Sequence, residues 1–182
     1  GEGQVTWEAV VCHPSLDDAS SSGYEVSATR SIPLDEHEQD VCEFLRKLVA
    51  TVGLTGNLAL TLCDAALSHD EGKRDKKFQR MLHGGRESKS VLAKSKPMTR
   101  ARSQGLYSML GLHGWRHEQL SAALAWAEYE GPGERKLLVR LVGTSHGHGR
   151  DSFIKGNCST SDLSEDGSVQ ATCASEIEAL YR

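Results

Sequence analysis

The sequence predicts an α+β fold, a small and mostly antiparallel sheet of N- and C-terminal strands around a helical middle section. Three observations point there. Gln4 to Cys12 alternates apolar and polar residues at the period of a strand. From Asp35 to Tyr129 apolar residues recur mainly at helical spacing. Lys136 to Gly143 is a dense aliphatic run that reads as the clearest strand of the chain. With 182 residues, 38% of them hydrophobic, one domain (1–182) can build its own core without a metal or disulfide.

Each element has its own signal. Val5, Trp7, Ala9 and Val11 form one face of the first strand, and 13–23 is rich in Ser, Asp, Pro and Gly, a turn. Tyr24 to Ile32 suits a second strand, paired with the first. Asp35 reads as a helix cap, with Glu36 and Glu38 at the positive end of the dipole. Val41, Phe44, Leu45, Leu48 and Val52 make a stripe for burial, and Gly53 and Gly56 end the helix. Leu58 to Leu67 fits two readings: Leu58, Leu60 and Leu62 alternate like a strand, whereas Cys63, Ala65, Ala66 and Leu67 suit a helix, and a buried strand running into a turn near Ser68 is favoured. Lys73 to Leu82 is a basic helix stopped by Gly84-Gly85, and Arg86 to Arg102 is loop or short helix broken by Pro97. Gln104 to Leu110 and His117 to Tyr129 are helices, the second with Leu120, Leu124 and Ala127 inward. Gly131-Pro132-Gly133 breaks the chain before the run at 136–143. A Gly/Ser-rich loop region (143–168), a short strand at Val169 to Cys173 and a last helical turn at Ser175 to Tyr181 complete the reading.

Charge is the strongest functional signal. Residues 1–70 carry a net −9 and residues 71–102 a net +8, within a chain of net −4. The basic segment 73–102 holds Lys73, Arg74, Lys76, Lys77, Arg80, Arg86, Lys89, Lys94, Lys96, Arg100 and Arg102. Clustered cations bind phosphate backbones because binding releases condensed counterions. Arginine adds a fork that matches phosphate. Aromatic residues are few there, which favours backbone contacts over base readout. The leading expectation is thus a non-catalytic domain that binds a polyanion, RNA or DNA, without a cofactor. Alternatives are a solvated face that balances the acidic N-terminal part, and an import signal at Lys73-Arg74-Asp75-Lys76-Lys77.

A second expectation is a small hydrolase centred on 143–173. Gly143-Thr144-Ser145-His146-Gly147 follows the run at 137–142 and resembles the nucleophile elbow of the α/β-hydrolases, which implies Ser145 as nucleophile. Only His148 follows it as a base. Ser145-His146-Gly147 followed by Val169 to Cys173 resembles the histidine turn and cysteine strand of the caspase-like family, which implies Cys173 as nucleophile and His146 as base. His146-Gly147-His148, with Asp151, Cys158 or Asp162, offers the donors of a metal site. His13, His37, His69, His83, His113 and His117 read as ordinary surface or half-buried side chains. A third expectation is an adaptor that binds a protein partner through partly exposed Trp115, Trp126 and Tyr129.

No apolar run approaches the ~20 residues of a membrane span, and the first residues lack a signal-peptide pattern. Five cysteines without zinc-type pairing read as reduced thiols of an intracellular protein, cytoplasmic or nuclear.

Overall fold

The computed structural model describes residues 30–131, 133–146 and 176–180. The expected strands at 4–12 and 169–173, and nearly all of that at 24–32, lie outside them, as do His148 and Cys173. Among the described residues the fold is mainly helical, 64% of them helix, with one two-stranded antiparallel sheet. It follows the order β1 (Ile32–Pro33), α1 (Leu34–Thr51), α2 (Gly56–Ser68), a 3-10 turn (Glu71–Arg74), α3 (Lys76–Leu82), β2 (Leu92–Lys94), α4 (Arg100–Met109), α5 (His117–Glu128) and α6 (Arg135–Gly143). A helical segment at 176–180 follows.

Two expected strands are helices. Leu58 to Leu67 lies in α2, where Thr61, Ala65 and Ala66 face inward at helical spacing. Lys136 to Gly143 is α6, which buries Leu138, Val139 and Val142 and keeps Arg140 in its last turn. Short aliphatic runs satisfy either period, and here packing on two neighbouring helices decides. α6 packs against α2 and α5. Full burial of Leu120, Leu138, Val139 and Val142 contributes about 1.5–3 kcal/mol per side chain. Phe78, Met81, Leu106, Leu112, Trp115 and Ile177 belong to the same cluster.

The helix expected from Asp35 forms, although Pro33 occupies its cap and Asp35 sits in the first turn. Its expected buried stripe does not. Phe44, Leu48 and Val52 are 70%, 46% and 64% exposed, while Leu34, Glu38, Cys42 and Val49 face inward. The basic helix is also split. Asp75 accepts from the backbone N–H groups of Lys77 and Phe78 at 2.9 and 3.0 Å, capping α3 and separating it from the 3-10 turn. Gly84 and Gly85 then take φ of 67° and 93°, a left-handed turn that ends the helix as the sequence implied.

The sheet is small but well anchored. Ile32 pairs with Lys94 and Pro33 with Leu92. The buried Gln79 side chain holds β2 from the other side, donating to the Lys73 and Leu92 carbonyls at 2.7 and 2.9 Å and accepting from Leu92 N–H at 2.8 Å. Leu92–Lys94 is thereby fixed beside the 3-10 turn.

Candidate metal centre

Asp70 lies at the junction between α2 and the 3-10 turn, with no exposed surface. The chain turns sharply there because His69 ends α2 and Lys73 N–H donates to the Asp70 carbonyl at 2.8 Å. The turn is pressed against the start of α5. A Cβ on Gly72 would lie 2.2 Å from the His117 carbonyl oxygen, so only glycine fits, and Gly72 N–H donates to the buried Ser121 hydroxyl at 2.8 Å. This close approach brings His117 onto Asp70.

Three further histidines arrive from other elements. His37 comes from the first turns of α1, His69 from the end of α2 and His146 from the turn after α6. That turn is shaped by Thr144 and Ser145, whose hydroxyls donate back to the Arg140 and Val142 carbonyls at 2.7 and 2.8 Å. The start of α6 is tied to α2. Glu134 N–H donates to Thr61 at 2.9 Å, and Tyr129 donates to Asp64 at 2.6 Å. α6 therefore runs from a fixed origin to the Asp70 carboxylate.

The two carboxylate oxygens face different pairs. Oδ2 lies 3.5 Å from His37 Nε2, 3.4 Å from His69 Nε2 and 2.9 Å from Lys73 Nζ. Oδ1 lies 3.3 Å from His117 Nε2 and 3.9 Å from His146 Nε2. In each trio, His37–His69–Asp70 and Asp70–His117–His146, the ligand atoms lie within 4.8 Å of one another. Metal–ligand bonds of about 2.0–2.2 Å at tetrahedral to octahedral angles separate neighbouring donors by about 3.0–3.5 Å. Three of the four separations fall in that range, and His146 is the loosest.

Protonation favours a cation. His69 Nδ1 lies 2.7 Å from the Ala66 carbonyl oxygen, which can only accept. The proton of the neutral ring is therefore on Nδ1, and the Nε2 lone pair faces the Asp70 carboxylate. Burial, opposed by Asp70, pushes the His69 pKa down, and it pushes that of His37 down to about 4, with Lys94 and Lys73 adding to the effect. Burial alone would raise the Asp70 carboxyl. The His117 and His146 rings and the Lys73 ammonium outweigh it and hold Asp70 well below the usual carboxylate range. Two neutral imidazoles and an ionised carboxylate suit a divalent transition metal rather than the all-oxygen preference of Mg²⁺ or Ca²⁺.

Of the residues singled out by sequence, His146 joins this centre. The strand expected before Ser145 is a helix, and the Ser145 hydroxyl donates to the Val142 carbonyl. The basic segment divides. Lys73 is buried on Asp70 and donates to the Ala93 carbonyl at 3.3 Å. Arg74 pairs with Asp35 at 2.8 Å and Glu71 at 2.6 Å. Lys76, Lys77 and Arg80 line an open groove of about 1070 Å³ with Ser88 and Ser90. Lys96 and Arg102 line a separate hollow beside His83. Of the residues expected as partly exposed anchors, Trp126 and Tyr129 are half-buried and Trp115 is not exposed. Trp115 is buried with its ring centroid 5.0 Å from that of Phe78. Trp126 bonds Glu176 beneath the Arg135 guanidinium. His37, His69 and His117 were expected to be ordinary side chains and Asp70 was not singled out, although the adjacent His69-Asp70 pair and Lys73 three residues on are a local cluster of donor and charge.

Among the described residues no helix is long and apolar enough to cross a membrane. In comparisons with known proteins, no family model, curated protein or solved structure matches this chain.

Proposed function

We propose that this chain is a metal-dependent hydrolase of phosphoesters, with a nucleic-acid backbone as its favoured substrate class. The carrying observation is the His69 Nε2 lone pair facing an ionised carboxylate at 3.4 Å, an arrangement that a cation between them makes favourable. Asp70 presents one oxygen to each histidine pair, so its carboxylate can bridge two ions. Ions held by these residues would stabilise the attacking and leaving oxygens of a displacement at phosphorus and would supply a hydroxide near neutral pH. The anionic substrate is supported by Lys94, which acts on His37 at the centre, and by the cations of the segment 73–102. The metal-dependent form of the hydrolase reading is thus kept, with its centre moved from 143–173 to Asp70.

The test is hydrolysis of bis(p-nitrophenyl) phosphate and of single-stranded DNA or RNA with added Mn²⁺, Co²⁺ or Zn²⁺. Activity that EDTA removes and that Asp70→Asn and His69→Ala each lower by at least about 100-fold is the expected result. Equal rates in the wild type and both variants would reject it.

The groove lined by Lys76, Lys77 and Arg80 favours a second reading, a non-catalytic domain that holds RNA or DNA by its phosphates. Salt-sensitive binding without metal-dependent turnover would select this reading.

A further inference from the structure

Glu118 has a fully buried side chain, and neither carboxylate oxygen is hydrogen-bonded within the described residues. A buried carboxylate without hydrogen bonds is costly. Its Oε2 lies 3.6 Å from Nδ1 of His117, the ring nitrogen opposite the one that faces Asp70. The ring itself is fixed by Phe78, whose face stacks on it at 5.6 Å between centroids.

We infer that Glu118 is a positioning residue of the proposed metal centre: with an ion on Nε2 the His117 proton lies on Nδ1, and the Glu118 carboxylate 3.6 Å away is placed to close on it and hold it there. The inference rests on the metal-centre reading. It assigns to Glu118 the outer member of a carboxylate–histidine–metal relay, which orients the ring and raises its basicity as a ligand. Glu118 touches no reacting atom and acts only through His117.

Zinc affinity is measured by equilibrium dialysis for the wild type, Glu118→Gln and Glu118→Leu, with the melting temperature of each metal-free protein beside it. Glutamine still accepts from Nδ1–H, so its affinity stays within about threefold of wild type. Leucine accepts nothing and weakens affinity by about 10–100-fold, while its metal-free melting temperature is unchanged or higher because a buried polar group without hydrogen bonds is gone. In a His117→Ala background the leucine substitution has no further effect. Leucine affinity equal to wild type, or glutamine affinity as weak as leucine, would overturn the inference. If the leucine variant does not fold, the nitrogen-15 spectrum of the zinc-loaded wild type decides. A proton on His117 Nδ1 supports the relay, and a proton on Nε2 overturns it. A wild type that binds no zinc, cobalt or manganese sinks the metal centre itself and this inference with it. Tight wild-type binding that leucine leaves intact sinks the relay alone.

Discussion

Asp70 has no exposed surface, and it is surrounded by three near histidines, one looser one and a lysine. An isolated buried carboxylate would take up a proton; this one is kept ionised by its surroundings. Replacement by Asn keeps the shape but removes the charge that pairs with the buried Lys73 ammonium, so metal affinity and melting temperature should both fall, readable as lost zinc uptake at a temperature where circular dichroism still shows the full helix signal. Glu38 behaves in the opposite sense. Burial, and after it the Glu71 carboxylate, pushes its pKa from the ordinary 4.5 up to about 8. The folded value lies above the unfolded one, so Glu38's contribution to stability is full below about pH 4.5 and is lost as pH rises through about 8. Glu38→Gln should therefore melt several degrees above wild type at pH 8.5, with the gap closing by pH 4.5. An equal gap at both pH values would contradict that assignment.

Elements were legible where their ends carried chemistry, and ambiguous where only aliphatic content spoke. α5 was found within one residue, His117 to Tyr129 against His117–Glu128, and the Gly84-Gly85 stop was read from glycine alone. α2 and α6 were misread as strands because ten or fewer aliphatic residues satisfy both periods. The spacing of Leu138, Val139 and Val142 was the overlooked helical sign. The α1 stripe failed for another reason. Periodicity finds a helix face but does not say which of two apolar faces has a neighbour, and α1 turns Cys42 and Val49 inward. Leu138→Ala should accordingly cost about 2–5 kcal/mol, while Phe44→Ala should cost under about 0.5 kcal/mol, both read from urea melts. Gly72→Ala tests the contact between the 3-10 turn and α5. Because the obstacle is backbone, overpacking by one methyl should cost at least about 1–3 kcal/mol and loosen metal affinity together with stability.

Across the whole molecule the candidate centre is assembled from α1, the end of α2, the start of α5 and the turn after α6. No fixed spacing joins His37, His69, His117 and His146, so a search for close-set ligand motifs finds only the His69-Asp70 pair. Sequence could show that the donors exist; only folding brings the members of each trio within 4.8 Å of one another. The charge swing was real as composition, but folding divided its cations among a buried ion pair, a surface network around Arg74, a groove and a hollow. Lys76→Glu, Lys77→Glu and Arg80→Glu together should weaken binding of single-stranded nucleic acid and flatten its dependence on salt, leaving zinc affinity unchanged.

The measurement that bears most directly on the account is the metal content of the purified chain after dialysis against Mn²⁺, Co²⁺ or Zn²⁺, with Asp70→Asn alongside. At least one equivalent of ion held by the wild type, and released by the asparagine variant without loss of helix signal, is the expected result. A wild type that retains no ion, or a variant that retains as much, would contradict it.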